Sequence, residues 1–359
     1  MRLLKKGLKI KSKPFELKGI FFHRTLVVEN IVKKIDSLLK KNRYETFYFS
    51  EEKSKFCFDL LVKKDNTILL VKVFSNIDNL NENVIKGIKS MSTLLHSKPV
   101  LIGIKNRYQK LEDDTIYVRE ELPFITYNTF EKIIGQNAYP YVLARRGGGV
   151  IFLDGALMKD LREKKGLTRK ELSEELEVTK RTICSYENES MRPSQQIADR
   201  VLEVLDDPNR SIFKNINVFE WQVKFNINKE YSFEGLDLNP FESHLQDVIT
   251  DIGINTHWYK KGIAPFELSI HSKHYSPELK IEKDFYPLFS KVPGEKNELS
   301  FKYFIYMFTK LFQKKGIFIV DNDFKVSDFF KQIPVLKINT IEELDSEEEF
   351  IELVKEEEK

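Results

Sequence analysis

The spacing of apolar residues changes period along the chain, and the changes divide it into three. From Leu26, the positions Leu26, Ile31, Ile35, Leu38 and Leu39, with lysine and aspartate between them, predict an amphipathic helix. Three strand-like runs follow, Tyr44 to Phe49, Phe56 to Val62 and Ile68 to Phe74, the last two joined by a turn at Asp65-Asn66. A helix near Asn79 to Leu95, a strand Val100 to Ile104, a short strand Ile116 to Val118 and a helix near Thr129 to Ile134 complete this part. Between Leu157 and Leu205 a spacing of three to four takes over and predicts four short helices. The first part's order then returns. It gives a helix Phe241 to Ile252, strands Ile254 to Tyr259, Phe266 to His271 and near Phe285 to Lys291, and a helix Leu299 to Phe312. Strands Ile317 to Val320 and Val335 to Ile338 and a helix from Ile341 close the pattern. Phe266-Glu267-Leu268 echoes Phe58-Asp59-Leu60, so the last part reads as a diverged internal repeat. The expected architecture is an α+β multidomain chain. Its segments are an α/β domain over 1–135, a connector over 136–154, an all-α module over 155–206 and a second α/β domain over 215–359.

The middle module carries the sharpest local signals. Thr168 with Glu171 three residues on is a capping box, and Leu172 and Leu176 then share one face. Val178 closes a turn, Thr179 caps the next helix, and Ile183 and Tyr186 give it an inward side. Leu157 and Leu161 lie on a leading helix that stops at Gly166, and Ser194 caps a closing helix carrying Ile197, Val201 and Leu205. Residues 154 to 206 resemble the Xre/Cro-repressor family of helix-turn-helix domains: Leu172, Leu176, Val178, Thr179, Thr182, Ile183, Glu187, Pro193 and Ser194 fall in its register. Glu177 and Glu189 stand where that family often has glycine, Ser173 replaces its alanine and Tyr186 its tryptophan. Glu177 then costs on the order of 1 kcal/mol in a left-handed turn. The resemblance implies that Lys180, Arg181 and Ser185, at the start of the recognition helix, meet base edges, with the cap Thr179 among the DNA-binding residues. Arginine and lysine suit guanine, whose N7 and O6 accept side by side. It also implies that Thr168 and Arg169 meet backbone phosphate, and that Arg162 and Glu187 form an internal ion pair.

The flanking order of helix, three strands, helix, strand, strand, helix resembles the restriction-endonuclease-like (resolvase-like) fold, and the repeat would make a second copy. That fold's chemistry places an aspartate on one strand and Glu-x-Lys on the next, so that two carboxylates hold a divalent metal and the lysine orients the attacking water. Asp59 and Lys72 occupy those places, but the position two before Lys72 is Leu70, which cannot ligate magnesium. Glu45 or Glu51 would have to substitute from elsewhere. The expectation is a fold without cleavage, with no catalytic residues and no metal site, in which Asp59 and Lys72 pair within the sheet. His271-x-x-His274 is too sparse for zinc.

Composition narrows the class. A chain of 359 residues with 41% hydrophobic and 31% charged residues supports two or three ordinary cores. Without an eighteen-residue apolar run or a signal-peptide core, the expected location is the cytoplasm. Cys57 and Cys184, far apart in apolar patterns, read as reduced structural thiols. The net charge of +3 is unevenly spread, since residues 1–149 carry 28 Lys and Arg against 16 Asp and Glu. A basic first third could add to polyanion affinity through counterion release, although a lysine-rich surface needs no such role. Glu342 to Glu358 reads as a solvated acidic helix. Arg145-Arg146-Gly147-Gly148-Gly149 lacks the strand-then-helix context of a nucleotide loop and reads as a hinge within a partly packed connector.

The whole arrangement resembles a family of archaeal helix-turn-helix transcriptional regulatory proteins. They share runs similar to Phe56-Cys-Phe-Asp-Leu-Leu, Leu69-Leu-Val-Lys-Val-Phe-Ser-Asn-Ile-Asp and Val142-Leu-Ala-Arg-Arg-Gly-Gly. The resemblance implies a sequence-specific regulator whose partner is double-stranded DNA. It would act as a homodimer, because half-sites about 34 Å apart on one DNA face demand two copies. No cofactor and no membrane are expected, and the sequence assigns no small-molecule effector. The competing readings are a nuclease targeted by the helix-turn-helix and an antitoxin-like partner protein.

Overall fold

Residues 20–48, 56–145, 148–223, 238–259, 263–272, 285–286, 288–291, 308–324 and 333–357 are described by a computed structural model. The first sheet has eight strands: β1 (Glu45–Tyr48), β2 (Leu60–Lys64), β3 (Thr67–Asn76), β4 (Lys98–Lys105), β5 (Thr115–Arg119), β6 (Leu122–Ile125), β7 (Val142–Arg145) and β8 (Gly148–Ile151). Their spatial order is β1-β2-β3-β4-β6-β5-β7-β8. The helices α1 (Ile20–Lys41), α2 (Glu82–Leu94) and α3 (Tyr127–Gln136) supply its layers. Alternation along β3 sorts them: Leu69, Val71 and Val73 join a core with Ile35 and Leu39 of α1 and Phe130 and Ile133 of α3, while Leu70 joins Ile88 and Met91 of α2 on the other face.

The second sheet is formed by β9 (Ile254–Trp258), β10 (Leu268–Ser272), β11 (Leu288–Lys291), β12 (Lys315–Val320) and β13 (Val335–Lys337). From β9 to β13 the neighbouring pairs run antiparallel, antiparallel, parallel, parallel, and β1-β2-β3-β4-β6 follow the same sequence of directions. Helix α8 (Pro240–Asp251) precedes β9 as α1 precedes β1, so the two sheets share an order and direction of elements. Part of the predicted helix Leu299 to Phe312 lies outside the described residues, as do Glu51 and His274; its end is helical at 308–312. The helices α9 (Ile338–Glu342) and α10 (Glu347–Glu357) close the chain.

The two sheets share one core. Helix α2 lies against the second domain, where a Cβ on Gly87 would come within 2.7 Å of the Ile263 side chain. The Cys57 amide donates to the Ile263 carbonyl at 2.7 Å, and the buried hydroxyls of Ser90 and Tyr259 stand 2.8 Å apart. Burial pushes the Cys57 thiol up to about 12, which fits a structural thiol; Cys57 and Cys184 are both free.

Three elements depart from the sequence reading. Strand β6, which sits between β4 and β5, was not expected, since Pro123 within Leu122–Ile125 reads as loop. The hinge expected at the glycines is a β-hairpin, with β7 pairing parallel to β5 and antiparallel to β8. That hairpin also packs on the helical module: Val142, Ile151 and Leu153 share a core with Leu172, Leu176 and Ile183. After the module, Ile212 and Phe213 join the same core, so its packing reaches beyond 155–206 on both sides. The chain enters and leaves the module side by side, through a bridge between Leu153 and Phe213 and a bond from the Asp154 amide to the Ile212 carbonyl at 2.7 Å. Among the described residues no helix is long and apolar enough to cross a membrane.

Four helices make the module: α4 (Gly155–Lys164), α5 (Arg169–Glu175), α6 (Lys180–Glu187) and α7 (Gln195–Leu205). Asp154 caps α4 by accepting from the Leu157 amide at 3.0 Å. Gly155 sits where α4 crosses the end of α6, and a Cβ there would lie 2.1 Å from the Glu187 carbonyl oxygen. That neighbour is backbone and cannot turn aside, so Gly155→Ala is expected to cost about 2–3 kcal/mol, read as a lower urea midpoint.

Candidate nucleic-acid interface

Helix α5 begins at the predicted capping box: the Glu171 amide donates to Thr168 Oγ1 at 3.2 Å, and Glu171 Oε2 accepts from the Thr168 amide at 2.7 Å. Leu172 and Leu176 are fully buried one turn apart. The chain then turns at Glu177, whose φ of 54° lies in the left-handed region, and Glu189, the other residue at a family glycine position, has φ 57°. Glu177 is tethered there by Arg200, which bonds Glu177 Oε1 at 3.3 Å and the Glu175 carbonyl. Glu189 is tied to Lys214 at 2.6 Å and accepts from the Gly155 amide at 3.2 Å. Glu177 is exposed, so its ion pair contributes little. Glu177→Gly is expected to raise stability by about 0.5–1 kcal/mol, visible as a higher urea midpoint at unchanged slope.

Thr179 caps α6 through the Thr182 amide at 3.1 Å. Ile183 and Tyr186 face the core, and Lys180 and Arg181 point to solvent from the first turn. Ser185, half-buried, lies one turn below Arg181 on the same face. Neither Lys180 nor Arg181 has an ion pair among the described residues. Among the described residues the first turn of α6 is left exposed, and it carries two cations at the positive end of the helix.

Beneath that face lies a buried ion network. Glu187, its side chain 1% exposed, accepts from Arg162 Nε at 2.6 Å and from Arg169 Nε at 2.7 Å. Burial pushes the Glu187 carboxyl up, but the hydrogen bonds and charges of the two arginines outweigh it and hold it below the usual carboxylate range. Arg162 also donates to the Leu167 carbonyl at 2.7 Å, locking α4 to the turn before α5. The sequence reading paired Glu187 with Arg162 alone and gave Arg169 to phosphate; Arg169 is the second partner of this carboxylate. A pairing across eighteen residues has no local signal. Arg192, unassigned from the sequence, stacks over the Phe152 ring at 3.8 Å and ties the segment after α6 to the hairpin.

The nuclease-like position has a different character. Asp59, just before β2, pairs with Lys72 Nζ at 2.8 Å and accepts from the Val73 amide at 2.7 Å. Leu70 is fully buried in the shared core. Glu45 is partnered with Lys63, four residues along β2 from Asp59, so roughly 13 Å of strand separates the two carboxylates. Among the described residues no group of three His, Cys, Asp or Glu side chains is placed to hold a metal ion. The second sheet repeats the pattern in register. The Glu267 amide bonds the Ser290 carbonyl as the Asp59 amide bonds that of Val71, which sets Phe289 and Lys291 at the places of Leu70 and Lys72. Phe289 too is fully buried.

Comparison with known proteins finds family matches in two stretches of the chain. Residues 28–140 match the PD-(D/E)XK superfamily domain, and residues 158–206 match a helix-turn-helix family. A protein of Methanobrevibacter smithii named "Putative HTH-type transcriptional regulatory protein" is 28% identical over 91% of this chain and 96% of its own length. A protein of that name from Methanocaldococcus jannaschii is 26% identical over 89% of this chain and 95% of its own. One from Methanococcus maripaludis is 33% identical over 62% of this chain and 68% of its own. No solved structure matches the chain. With an N-terminal PD-(D/E)XK domain, a helix-turn-helix in the middle and relatives matched along most of their length, the chain belongs to the family of archaeal HTH-type transcriptional regulatory proteins.

Proposed function

We propose that the protein is a sequence-specific regulator that binds double-stranded DNA as a homodimer through α6, with Thr179, Lys180, Arg181 and Ser185 facing the major groove. The observation that carries this reading is the exposed first turn of α6, where two cations without an ion pair among the described residues stand above a core that fixes the helix. An α-helix fits the major groove, and long cations at its start reach base edges. Thr168, Arg169 and the amide end of α5 are the phosphate contacts, Arg169 being held in place by its Nε bond to Glu187. Glu174, Glu175 and Glu177 are exposed at the far end of α5 and repel phosphate, so the backbone approaches from the Thr168 side. The flanking α/β bodies hold and orient the reader, and two copies span half-sites one helical turn apart.

Enrichment of bound fragments from a random duplex pool tests this. The expected result is a palindromic consensus whose half-site centres are about 34 Å apart. A pool that stays random after repeated selection by folded protein refutes it. The PD-(D/E)XK match and the retained Asp59–Lys72 pair favour one other reading, a DNA-processing nuclease. With Leu70 in the place of a ligand, supercoiled plasmid incubated with magnesium or manganese is expected to stay intact. Nicking that disappears in Asp59→Ala would establish the second reading in its place.

A further inference from the structure

A cleft of about 1060 Å³ opens between the first sheet and the helical module, in a place that neither DNA contact nor the nuclease-like position uses. Its floor is the apolar edge of the sheet, Val118, Val142 and Leu143, and one wall is the β7–β8 hairpin with Gly148 and Gly149. Arg107, Arg119 and Arg145 line it, against the carboxylates Asp78 and Glu112. Asp78 is already committed: it binds Arg119 Nε at 2.6 Å and accepts from the Arg107 amide at 2.7 Å. Arg107 and Arg145 are exposed, and among the described residues neither guanidinium has an ion pair.

Three aromatic side chains, Tyr108, Tyr117 and Trp221, also line it. Trp221 is held in place by its Nε1 bond to the Glu121 carbonyl at 2.9 Å. Tyr108 is 87% exposed, yet the loop that presents it is tightly built. Asn106 Oδ1 accepts from the Tyr108 amide at 2.8 Å and the Gln109 amide at 2.7 Å, and Lys105 bridges Lys110 across the loop base. An exposed ring on a fixed loop is costly to leave in water and useful for stacking a flat heterocycle. The guanidiniums of Arg107 and Arg145, without an ion pair among the described residues, supply forked donors matched to phosphate oxygens. The cleft is of ligand-pocket size, while a duplex is too broad for it.

We infer that this cleft binds a nucleoside polyphosphate, its base against Tyr108 or Trp221 and its phosphates on Arg107 and Arg145. The wall of the site reaches the DNA reader directly. Strand β8 pairs Val150 with Ser194, the cap of α7, and the Ile151 amide donates to the Pro193 carbonyl at 3.1 Å, while Gln195 itself lines the cleft. Occupancy would thus bear on α7, a consequence that rests on the proposed DNA-binding role, whereas binding itself does not.

The test therefore uses the full-length protein without DNA. Titration with ATP, GTP and inorganic pyrophosphate, followed by calorimetry and by tryptophan fluorescence, is expected to show saturable binding of at least one nucleotide. Arg107→Ala with Arg145→Ala should weaken it tenfold or more, and Tyr108→Ala should weaken nucleotide but not pyrophosphate. These side chains are exposed, so the variants are expected to keep the parent melting temperature. The proposal is overturned by three results: no binding at millimolar nucleotide, affinity unchanged in the double arginine variant, or capture of a single-stranded oligonucleotide through these residues without capture of mononucleotides.

Discussion

Lys180→Ala combined with Arg181→Ala is expected to reduce affinity for a selected duplex to the level of random DNA. Each well-placed bidentate contact to a base contributes about 1–3 kcal/mol of discrimination, so losing two costs about 2–6 kcal/mol, thirtyfold or more in Kd. Both residues are exposed on the first turn of α6, so the variant's own stability should change by less than about 0.5 kcal/mol. Salt separates the two kinds of contact. A side chain on a base edge leaves the slope of log K against log salt nearly unchanged, whereas each phosphate contact removed lowers it by about one. Filter binding at several salt concentrations reads both quantities. Retention of sequence preference by the double variant would show that α6 is not the reader.

Glu187→Ala should damage the same module from inside. Arg162, buried at 6% side-chain exposure, would lose its nearest carboxylate and keep only Glu163 at 3.3 Å and the Leu167 carbonyl, and breaking such a buried pair costs about 3–5 kcal/mol. Glu187→Gln keeps one oxygen for Arg162 and should cost less, about 1–3 kcal/mol. The network also fixes the sign of a pH effect. The Glu187 carboxyl is held below its ordinary value by Arg162 and Arg169, against the upward push of burial. A carboxyl depressed in the folded state stabilises the fold above the unfolded pKa, and that contribution is lost as pH falls through the folded value. Urea unfolding of the parent should therefore weaken once the pH drops below roughly 4.3, and Glu187→Gln should show a shallower acid limb. An identical acid limb in both proteins would place the effect elsewhere.

The helix-turn-helix was legible because its signals are local. Thr168, Thr179 and Ser194 act as caps within three residues of their partners, and Leu172, Leu176, Ile183 and Tyr186 report their burial by spacing alone. Contacts far apart in sequence left no such trace. Arg169 reaches Glu187 across a turn and a helix, Pro123 disguises a strand in the middle of a sheet, and the glycine-rich hairpin has too short a pattern to announce pairing with β5. The nuclease-like order of strands was readable, and so was Leu70. The alignment of Phe289 and Lys291 with Leu70 and Lys72 needed the register of β10 against β11.

The paired segments at Leu153 and Phe213 give the reader the connectivity of a cassette. Both of its leads pass through one narrow stem, and the hairpin below the stem packs Val142 and Ile151 on the module's core, so a replacement must keep the face that those two residues touch. If the module reads DNA as proposed, exchanging it between relatives at these two points with that face kept should redirect the choice of operator while the bodies on either side continue to fold.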